Sequence, residues 1–325
     1  FDPSTLEVQI AGEVVDFDPT EYIEPKEARR MGRPAQLAVT AALDALKDAG
    51  LTLADLEPIH ERVAVDFGSS LGGHDLAQQA SYGYRSRGRR PGPFSLIQSL
   101  PNIPAHYVSR VTGALGPLVC ISTACATGTH SIGDGFNLVR YGRADVVFTG
   151  GVEAMILDYA LAGFISMTAL ATGYNDNPGE ASRPFDLNRN GFVFGEGGGV
   201  LILETMERAI KRGARIYAEV LGMSSSSDAF HVAALDPDGS GGRRRRRREQ
   251  RCHGQGQHGG ESGGGHLSSL SPGIWCAFAP AGPAGWKTWT RWISESATGC
   301  VRSPAAAAGS ASRRRSCSPS TAPAR

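Results

Sequence analysis

No stretch of the 325-residue sequence is apolar over the length that a bilayer requires, and no leader with a basic start and an apolar continuation opens it. No two cysteines have the Cys-x-x-Cys spacing that is typical of structural zinc sites and redox-active dithiols. No charge of one sign is in excess, since the net charge is +1. The composition is that of an ordinary soluble enzyme, expected in the cytoplasm, with one large or two ordinary domains.

Three residue types are each missing from one part of the chain. No tryptophan precedes Trp275, no tyrosine follows Tyr217, and no aspartate follows Asp238. From Arg243 onward the residues are mostly Arg, Gly, Ser, Ala and Pro. We therefore predict a folded domain over residues 1–242 and a low-complexity, irregular tail over residues 243–325.

Strand and helix patterns alternate over the first part, which predicts an α/β layer fold. The apolar residues of 34–51 recur at helical spacing and share one face: Val39, Ala42, Leu43 and Leu46. Strands are predicted for "RVAVDFG", "LVCIS" and "ADVVFTGG", and "VLILETMERAIKRGARIYAEVLG" predicts a strand, a helix and a strand. The strands do not alternate cleanly between apolar and polar residues, so we expect a sheet covered on both faces.

The segment "STACATGTH" places Cys125 between a predicted strand over 118–122 and a predicted helix over 127–142. Chemistry in open α/β sheets gathers at the carboxyl ends of strands, and the small neighbours of Cys125 allow a sharp turn there. A thiol at a helix N-terminus faces unpaired amides, which favour the nucleophilic thiolate. Cys125 is therefore a candidate nucleophile; the alternative is a small buried hydrophobe. Cys120, inside the predicted strand, is expected in the core.

Longer segments carry a resemblance to a known family. "TACATGTHSIGDGF" resembles the nucleophile segment of the β-ketoacyl-acyl-carrier-protein synthases, the type II condensing enzymes of fatty-acid elongation. "GRADVVFTGGVEAMI", "ASRPFDLNRNGFVFGEGGGVLILE" and "GARIYAEVLGMSSSSDAFHVAALDPDG" resemble the blocks that follow it. The resemblance runs from residue 1 to about residue 240. It implies the N-terminal half of a thiolase-like α-β-α-β-α fold, whose first strand we expect before Phe1.

The resemblance also implies a reaction. An acyl group passes from acyl carrier protein to Cys125 as a thioester, malonyl carrier protein loses carbon dioxide, and the resulting carbanion attacks the thioester. The implied partners are the acyl and malonyl forms of the carrier protein and a second copy of the chain. No cofactor, metal, nucleic acid or membrane is implied. The acyl chain length and the choice between a fatty-acid and a polyketide pathway stay open.

Two further sets of residues follow from the resemblance. An apolar acyl channel is implied, with three lining residues that are alternatively plain core: Leu71, Met155 and Phe164. A basic docking face for the acidic carrier protein is implied just before the first long helix, with a solvated helix entry as the alternative: Lys26, Arg29, Arg30 and Arg33. The chain departs from the family at Asn190, where Asp is usual, and at Thr168, where Arg is frequent. We expect the second departure to weaken one contact to the carrier protein.

Condensation also needs hydrogen-bond donors for the developing enolate oxygen, which the family supplies with two histidines. A lysine and a glycine-rich backbone amide complete the family's site. Stretches that resemble "NAHGTST", "STKSxxGH" or "GFGGTN" do not occur, and we interpret "GGHLSSLSPG" as a coincidental likeness to the second of them. Five other histidines match no catalytic position: His60, His74, His106, His130 and His231. We therefore expect this chain to be inactive in condensation, as an inert or binding-only remnant.

The tail, which begins "RRRRRREQRCHGQGQHGG", has three interpretations. The leading one is a shifted reading frame in a GC-rich gene, because the change in composition falls where the resemblance ends. A nucleic-acid-binding fusion through the arginine run is the second. A zinc site is the third, and its potential ligands are Cys252, His253, His258, His266 and Cys276.

Overall fold

A computed structural model of the chain describes residues 3–244, 274–279 and 301–302. These residues contain a seven-stranded sheet, whose strands are β1 (Val63–Gly68), β2 (Leu118–Val119), β3 (Val146–Glu153), β4 (Gly197–Thr205), β5 (Ala218–Val220), β6 (Ile274–Ala279) and β7 (Val301–Arg302). Their order across the sheet is β2-β1-β3-β4-β6-β5-β7. β1 pairs in parallel with β2 and β3, and the remaining pairings are antiparallel, so the sheet is mixed.

Helices cover the sheet on both faces. The α-helices of the described residues are α1 (Pro25–Ala28), α2 (Arg33–Asp48), α3 (Leu53–Leu56), α4 (His74–Arg87), α5 (Ser95–Gln98), α6 (Ile103–Thr112), α7 (Thr127–Arg140), α8 (Asp158–Ser166) and α9 (Met206–Lys211). On one face, α2 and α6 pack against Val63, Val65 and Phe67 of β1. On the other face, α7 packs against Ala64 of β1 and Val147 of β3. The predicted α/β architecture with a covered sheet is therefore confirmed for β1 and β3, which are buried along nearly their whole length.

The predicted helix over 34–51 is confirmed as α2, which begins and ends where its sequence indicates. Pro34 stands in its first turn, where the missing amide hydrogen costs nothing. Gly50 takes a φ of +67° after the last turn, and its amide donates to the Lys47 carbonyl. Four alanines of α2 are buried in the cluster that contains the strand residues, so this helix lies close to the sheet: Ala38, Ala41, Ala42 and Ala45.

The strand predicted over 118–122 is shorter in the structure. β2 contains only Leu118 and Val119, which pair with Val65 and Asp66 of β1. At the far end of that segment, the Thr123 amide donates to the Thr127 hydroxyl over 2.8 Å. Cys120 thus lies one residue beyond the strand in which the sequence placed it.

The irregular tail that the sequence predicts contributes two strands. β6 pairs with β4 and β5, and β7 pairs with β5. The sequence of β6, "IWCAFA", is apolar and aromatic without a turn residue, and this composition favours a strand beside the edge of β4. Cys276 lies in β6, and the other zinc candidates fall outside the described residues: Cys252, His253, His258 and His266. The boundary near Gly242 stays a prediction.

Within the part of the chain that the structure describes, no helix combines the length and the apolar character that a membrane crossing requires.

Candidate active site

Cys125 lies in the sharp turn that joins β2 to α7. A 3-10 turn over Ala124–Ala126 leads directly into α7, and the Cys125 side chain is exposed. Ala124 has a φ of +50°, in the left-handed region that residues with a side chain rarely adopt. Strained backbone of this kind is characteristic of turns that present a nucleophile, as in the nucleophile elbow. The sharp strand-to-helix turn predicted from the small residues is therefore present.

Glycines allow α7 to begin close to the ends of the strands. A Cβ on Gly68, the last residue of β1, would lie 2.1 Å from Thr127 Cγ2 and 2.7 Å from the Ile121 carbonyl oxygen. A Cβ on Gly151 of β3 would lie 3.1 Å from the Cα of Gly128. The turn that carries Cys125 is thus held against the carboxyl ends of β1 and β3, where α/β folds place their chemistry.

Cys120 has different surroundings from Cys125. Its thiol is half-buried against the core and donates to the Pro101 carbonyl over 3.3 Å. Burial raises the pKa of the Cys120 thiol, with a smaller contribution from the negative charge of Asp66. Cys120 is therefore less enclosed than the full burial expected for a core residue, but it is not presented to solvent as Cys125 is.

We expect iodoacetamide to alkylate Cys125 at least about tenfold faster than Cys120, because alkylation needs both access and thiolate. Peptide mapping of the folded protein after short labelling times measures both rates. Cys125→Ser should remove the fast-labelled peptide, whereas Cys120→Ser should leave it. Equal labelling of the two thiols in folded protein would contradict the argument from the turn.

The three candidate acyl-channel residues lie in different surroundings. Leu71, in the loop after β1, is 44% exposed, whereas Met155, two residues beyond β3, is 1% exposed. Phe164 of α8 is half-buried, and its ring centroid lies 5.4 Å from that of Phe192 and 5.1 Å from that of Phe194. Met155 and Phe164 thus also fit the core alternative. A cavity of the described residues is lined by 226–235 and includes none of the three. The channel stays a prediction.

Three of the four docking candidates are exposed on or beside α1: Lys26, Arg29 and Arg30. The fourth, Arg33, is half-buried and paired with an acid, and its part in docking stays a prediction. Its guanidinium donates to both carboxylate oxygens of Glu196, with Nε 2.8 Å from Oε2, and to the Val14 carbonyl over 2.7 Å. The bidentate pair with Glu196 raises the pKa of Arg33. Arg33 therefore ties the N-terminal segment to the residues before β4.

The described histidines have local contacts that agree with the structural roles expected for them. His130, in the second turn of α7, has Nδ1 3.5 Å from the Thr123 hydroxyl. His231 Nδ1 accepts from the amides of Ala233 and Ala234. The remaining three contact neighbouring side chains or backbone: His60, His74 and His106. Of the two departures, Asn190 donates to the Thr172 carbonyl, and Thr168 has a φ of +53° after α8.

Two acids near the site, one half-buried and one fully buried, were not singled out from the sequence. Glu153, the last residue of β3, accepts from the Ser70 amide over 2.9 Å, and burial raises the pKa of its carboxyl. Asp66 of β1 is fully buried, and neither carboxylate oxygen has a hydrogen-bond partner. Burial, and secondarily the charge of Asp134, raises the pKa of Asp66 to about 7. An acid inside the apolar run "VAVDF" is a sequence signal that could have found Asp66.

The chain is similar to known proteins over most of its length. Residues 3–209 match the family model described as "Beta-ketoacyl synthase, N-terminal domain". The 3-oxoacyl-[acyl-carrier-protein] synthase 2 of Staphylococcus aureus (strain N315) is 43% identical over 242 residues, which are 74% of this chain and 58% of that protein. The enzyme of the same name from Vibrio harveyi is 42% identical over 243 residues, with the same two coverages of 74% and 58%. The chain thus spans about 58% of the length of these curated relatives.

Solved structures also resemble this chain, over 66–76% of its length. The ishigamide ketosynthase/chain length factor is 34% identical, with a TM-score of 0.67, over 75% of this chain and 59% of that one. A beta-ketoacyl synthase from Burkholderia phymatum STM815 is 31% identical, with a TM-score of 0.66, over 76% of this chain and 58% of that one. A type II polyketide ketosynthase in complex with its acyl-carrier protein is 31% identical, with a TM-score of 0.63, over 66% and 54% of the two chains.

Proposed function

The chain belongs to the β-ketoacyl synthase family, and from this premise we propose that it takes an acyl group from acyl carrier protein onto Cys125. Its α/β fold is that of the solved ketosynthases, which are thiolase-like. The single observation that carries the proposal is the placement of Cys125: an exposed thiol in a strained turn at the head of α7. This turn lies within the 3–209 segment that matches the family model.

The proposed step is a transfer between two thiols. The Cys125 thiolate attacks the carbonyl carbon of the acyl thioester, a new carbon–sulfur bond forms, and negative charge develops on the carbonyl oxygen. The old carbon–sulfur bond then breaks, and the carrier's sulfur leaves as a thiolate, which takes up from solvent the proton that Cys125 released when it ionised. The backbone amide of Cys125 is one proposed donor to the oxyanion, since preorganised amides stabilise such charge.

We propose that this chain stops at the thioester. Decarboxylation of a malonyl group requires donors to the enolate oxygen, and the histidine motifs that supply them in the family do not occur in the sequence. Amides at the head of α7 can serve the oxyanion of the acyl-transfer step, but they do not replace two donors at a second oxygen. We therefore propose that decarboxylative condensation, the family's reaction in chain elongation, requires the histidine motifs and is not catalysed by this chain.

Two partners are proposed. An acidic carrier protein would meet the three exposed basic residues on and beside α1: Lys26, Arg29 and Arg30. A second copy of the chain would meet the outer edge of the sheet, where β2 is the terminal strand and Leu115 and Leu118 are exposed. Unpaired edge strands with exposed apolar residues are ready-made pairing surfaces, which supports this position for a homodimer contact.

The test is to incubate the full chain with acyl-loaded carrier protein and to map the acyl group by mass spectrometry. We expect the added mass on the peptide that contains Cys125, its loss in Cys125→Ala, and its retention in Cys120→Ala. With malonyl carrier protein also present, we expect no β-ketoacyl product. An unacylated Cys125 would overturn the first half of the proposal, and product at ordinary rates would overturn the second.

A double charge reversal, Arg29→Glu with Arg30→Glu, tests whether these residues contact the carrier protein. It should slow transfer from the carrier protein about tenfold or more at low salt, because charges at the rim of an interface act mainly on the encounter rate. Iodoacetamide labelling of Cys125 should stay unchanged in this variant. Transfer that also stays unchanged would place the docking face elsewhere.

A further inference from the structure

Glu153 bridges two strand ends beside the candidate nucleophile. It is the last residue of β3, and its Oε2 accepts from the Ser70 amide over 2.9 Å. Its Oε1 accepts from the Ser69 hydroxyl over 3.4 Å. Both serines belong to the loop that follows β1, the strand paired with β3. The acid therefore fixes the loop after one strand to the end of its neighbour.

The same loop contacts the turn that carries Cys125. The Ser122 hydroxyl donates to the Ser70 carbonyl over 3.2 Å, three residues before Cys125. The next amide, of Thr123, donates to the Thr127 hydroxyl at the start of α7. A continuous set of hydrogen bonds thus runs from Glu153 through Ser70 and Ser122 to the turn.

The loop itself has little freedom to compensate for a lost contact. Ser69 is fully buried, and its hydroxyl also accepts from the Gly72 amide over 2.9 Å. A Cβ on Gly72 would lie 2.5 Å from the Leu100 carbonyl oxygen, so the backbone at Gly72 packs tightly against the backbone at Leu100. Leu71, the exposed candidate for the acyl channel, stands between these two residues. Displacing the loop would therefore displace Leu71 as well.

The chemistry of Glu153 is unusual for a residue of purely structural use. It is half-buried, and no ion pair of the described residues includes it. Burying a carboxylate without a cation is costly, and an apolar residue at a strand end avoids that cost. The carboxylate fixes the position of the loop, because it accepts hydrogen bonds from an amide and a hydroxyl of that loop at the same time.

We propose that Glu153 is a positioning residue: it holds the 69–72 loop against Ser122 and thereby sets the position of the Cys125 turn and of Leu71. The meaning of this role for acyl transfer rests on the proposed function, whereas its effect on the turn does not.

Two variants test the proposal at different points of the network. Glu153→Ala removes both hydrogen bonds to the loop, and Ser122→Ala cuts the link between the loop and the turn without touching β3. We expect each to slow acylation of Cys125 by about fivefold or more, the factor that one lost hydrogen bond of ordinary strength produces. Glu153→Gln retains an acceptor for the Ser70 amide and should recover most of the rate. Glu61→Gln, an exposed acid beside β1, is the matched control and should change nothing.

The pH profile of iodoacetamide alkylation at Cys125 is the second readout, measured with the melting temperature. We expect the profile to shift in Glu153→Ala and in Ser122→Ala, while Ser122→Ala keeps the melting temperature of the unmodified chain. If the unmodified chain takes up no acyl group, the proposed function fails, but the alkylation profiles still decide the role of Glu153. Profiles and acylation rates that are unchanged in Ser122→Ala, with only a lower melting temperature in Glu153→Ala, would overturn the positioning role.

Discussion

Asp66→Asn is expected to stabilise the protein at pH 8 and to leave its stability nearly unchanged at pH 4. In the folded protein the pKa of Asp66 is about 7, well above the ordinary value of 3.8. Between these two values the folded state retains a proton that the unfolded state has lost, so stability falls as the pH rises. Above about pH 7 the folded carboxyl ionises as well, so the loss of stability reaches its full size and stays constant at higher pH. Asparagine does not ionise and escapes this loss.

The surroundings of Asp66 explain why its charged form is unfavourable. Neither of its oxygens has a hydrogen-bond partner, and the hydroxyls of Ser131 on α7 and Thr149 on β3 have none either. The nearby Ser131 hydroxyl lowers the pKa of Asp66, but less than burial raises it. Thr149 is paired with Asp66 across the two strands. The titratable groups that face Asp66 are Asp134, whose negative charge opposes ionisation, and the Cys120 thiol. No described cation offsets the charge, so burial dominates.

Urea unfolding of both proteins between pH 4 and pH 8.5 measures the effect. A shift of about three pH units corresponds to at most about 4 kcal/mol, and we expect about 2 kcal/mol or more at pH 8. Asp16→Asn, at an exposed position, should follow the unmodified chain throughout. Asp134→Asn should remove part of the alkaline loss. Parallel curves for Asp66→Asn and the unmodified chain would show that folding does not raise the pKa of Asp66.

Local patterns predict the helices, strands and turns well, because the causes of these elements are local. The apolar face of α2 and the glycine after it lie within one stretch of chain, and the small residues around Cys125 are sufficient by themselves to indicate the turn. The six apolar residues of β6 also carry a strand signal, but the composition of the tail around them obscures it. In each case the information is present within a few residues.

Side-chain roles are harder to predict, because their partners are distant in sequence. Arg33 looks like Arg29 and Arg30 in the sequence, but its partner Glu196 is 163 residues away. The Glu153 carboxylate is 83 residues from the Ser70 amide that it accepts from. The tertiary fold decides which charge is a surface charge and which is an internal tie. Asp66 is the exception, since an acid within an apolar strand is visible from the sequence alone.

Gly68→Ala is expected to destabilise the protein and to abolish acylation of Cys125. The added Cβ would lie 2.1 Å from Thr127 Cγ2, 2.7 Å from the Ile121 carbonyl oxygen and 2.9 Å from the Ser131 hydroxyl. One of these atoms is backbone and the other two belong to buried residues of α7, so none can move aside cheaply. Overpacking of this kind costs about 1–3 kcal/mol, and more where backbone must shift.

The functional loss should exceed what the lost stability explains. To accommodate the methyl group, the first turn of α7 and the segment before Cys125 have to move away from β1. A displacement of about 1 Å at reacting groups can cost about a hundredfold in rate, and we expect acylation to fall by that order in protein that remains folded. Circular dichroism establishes the folded fraction, and acyl transfer from carrier protein is measured on that fraction.

A second substitution distinguishes this mechanism from general damage to β1. Thr127→Ser removes the Cγ2 methyl that meets the new Cβ and keeps the hydroxyl that accepts from the Thr123 amide. In the double variant Gly68→Ala with Thr127→Ser, stability and acylation should therefore both partly return. Gly83→Ala in α4 is the matched control: a Cβ there meets nothing within 4 Å, so alanine should stabilise the helix by about 0.5–1 kcal/mol. If the double variant is no better than Gly68→Ala alone, contact between β1 and the head of α7 does not hold the Cys125 turn in place.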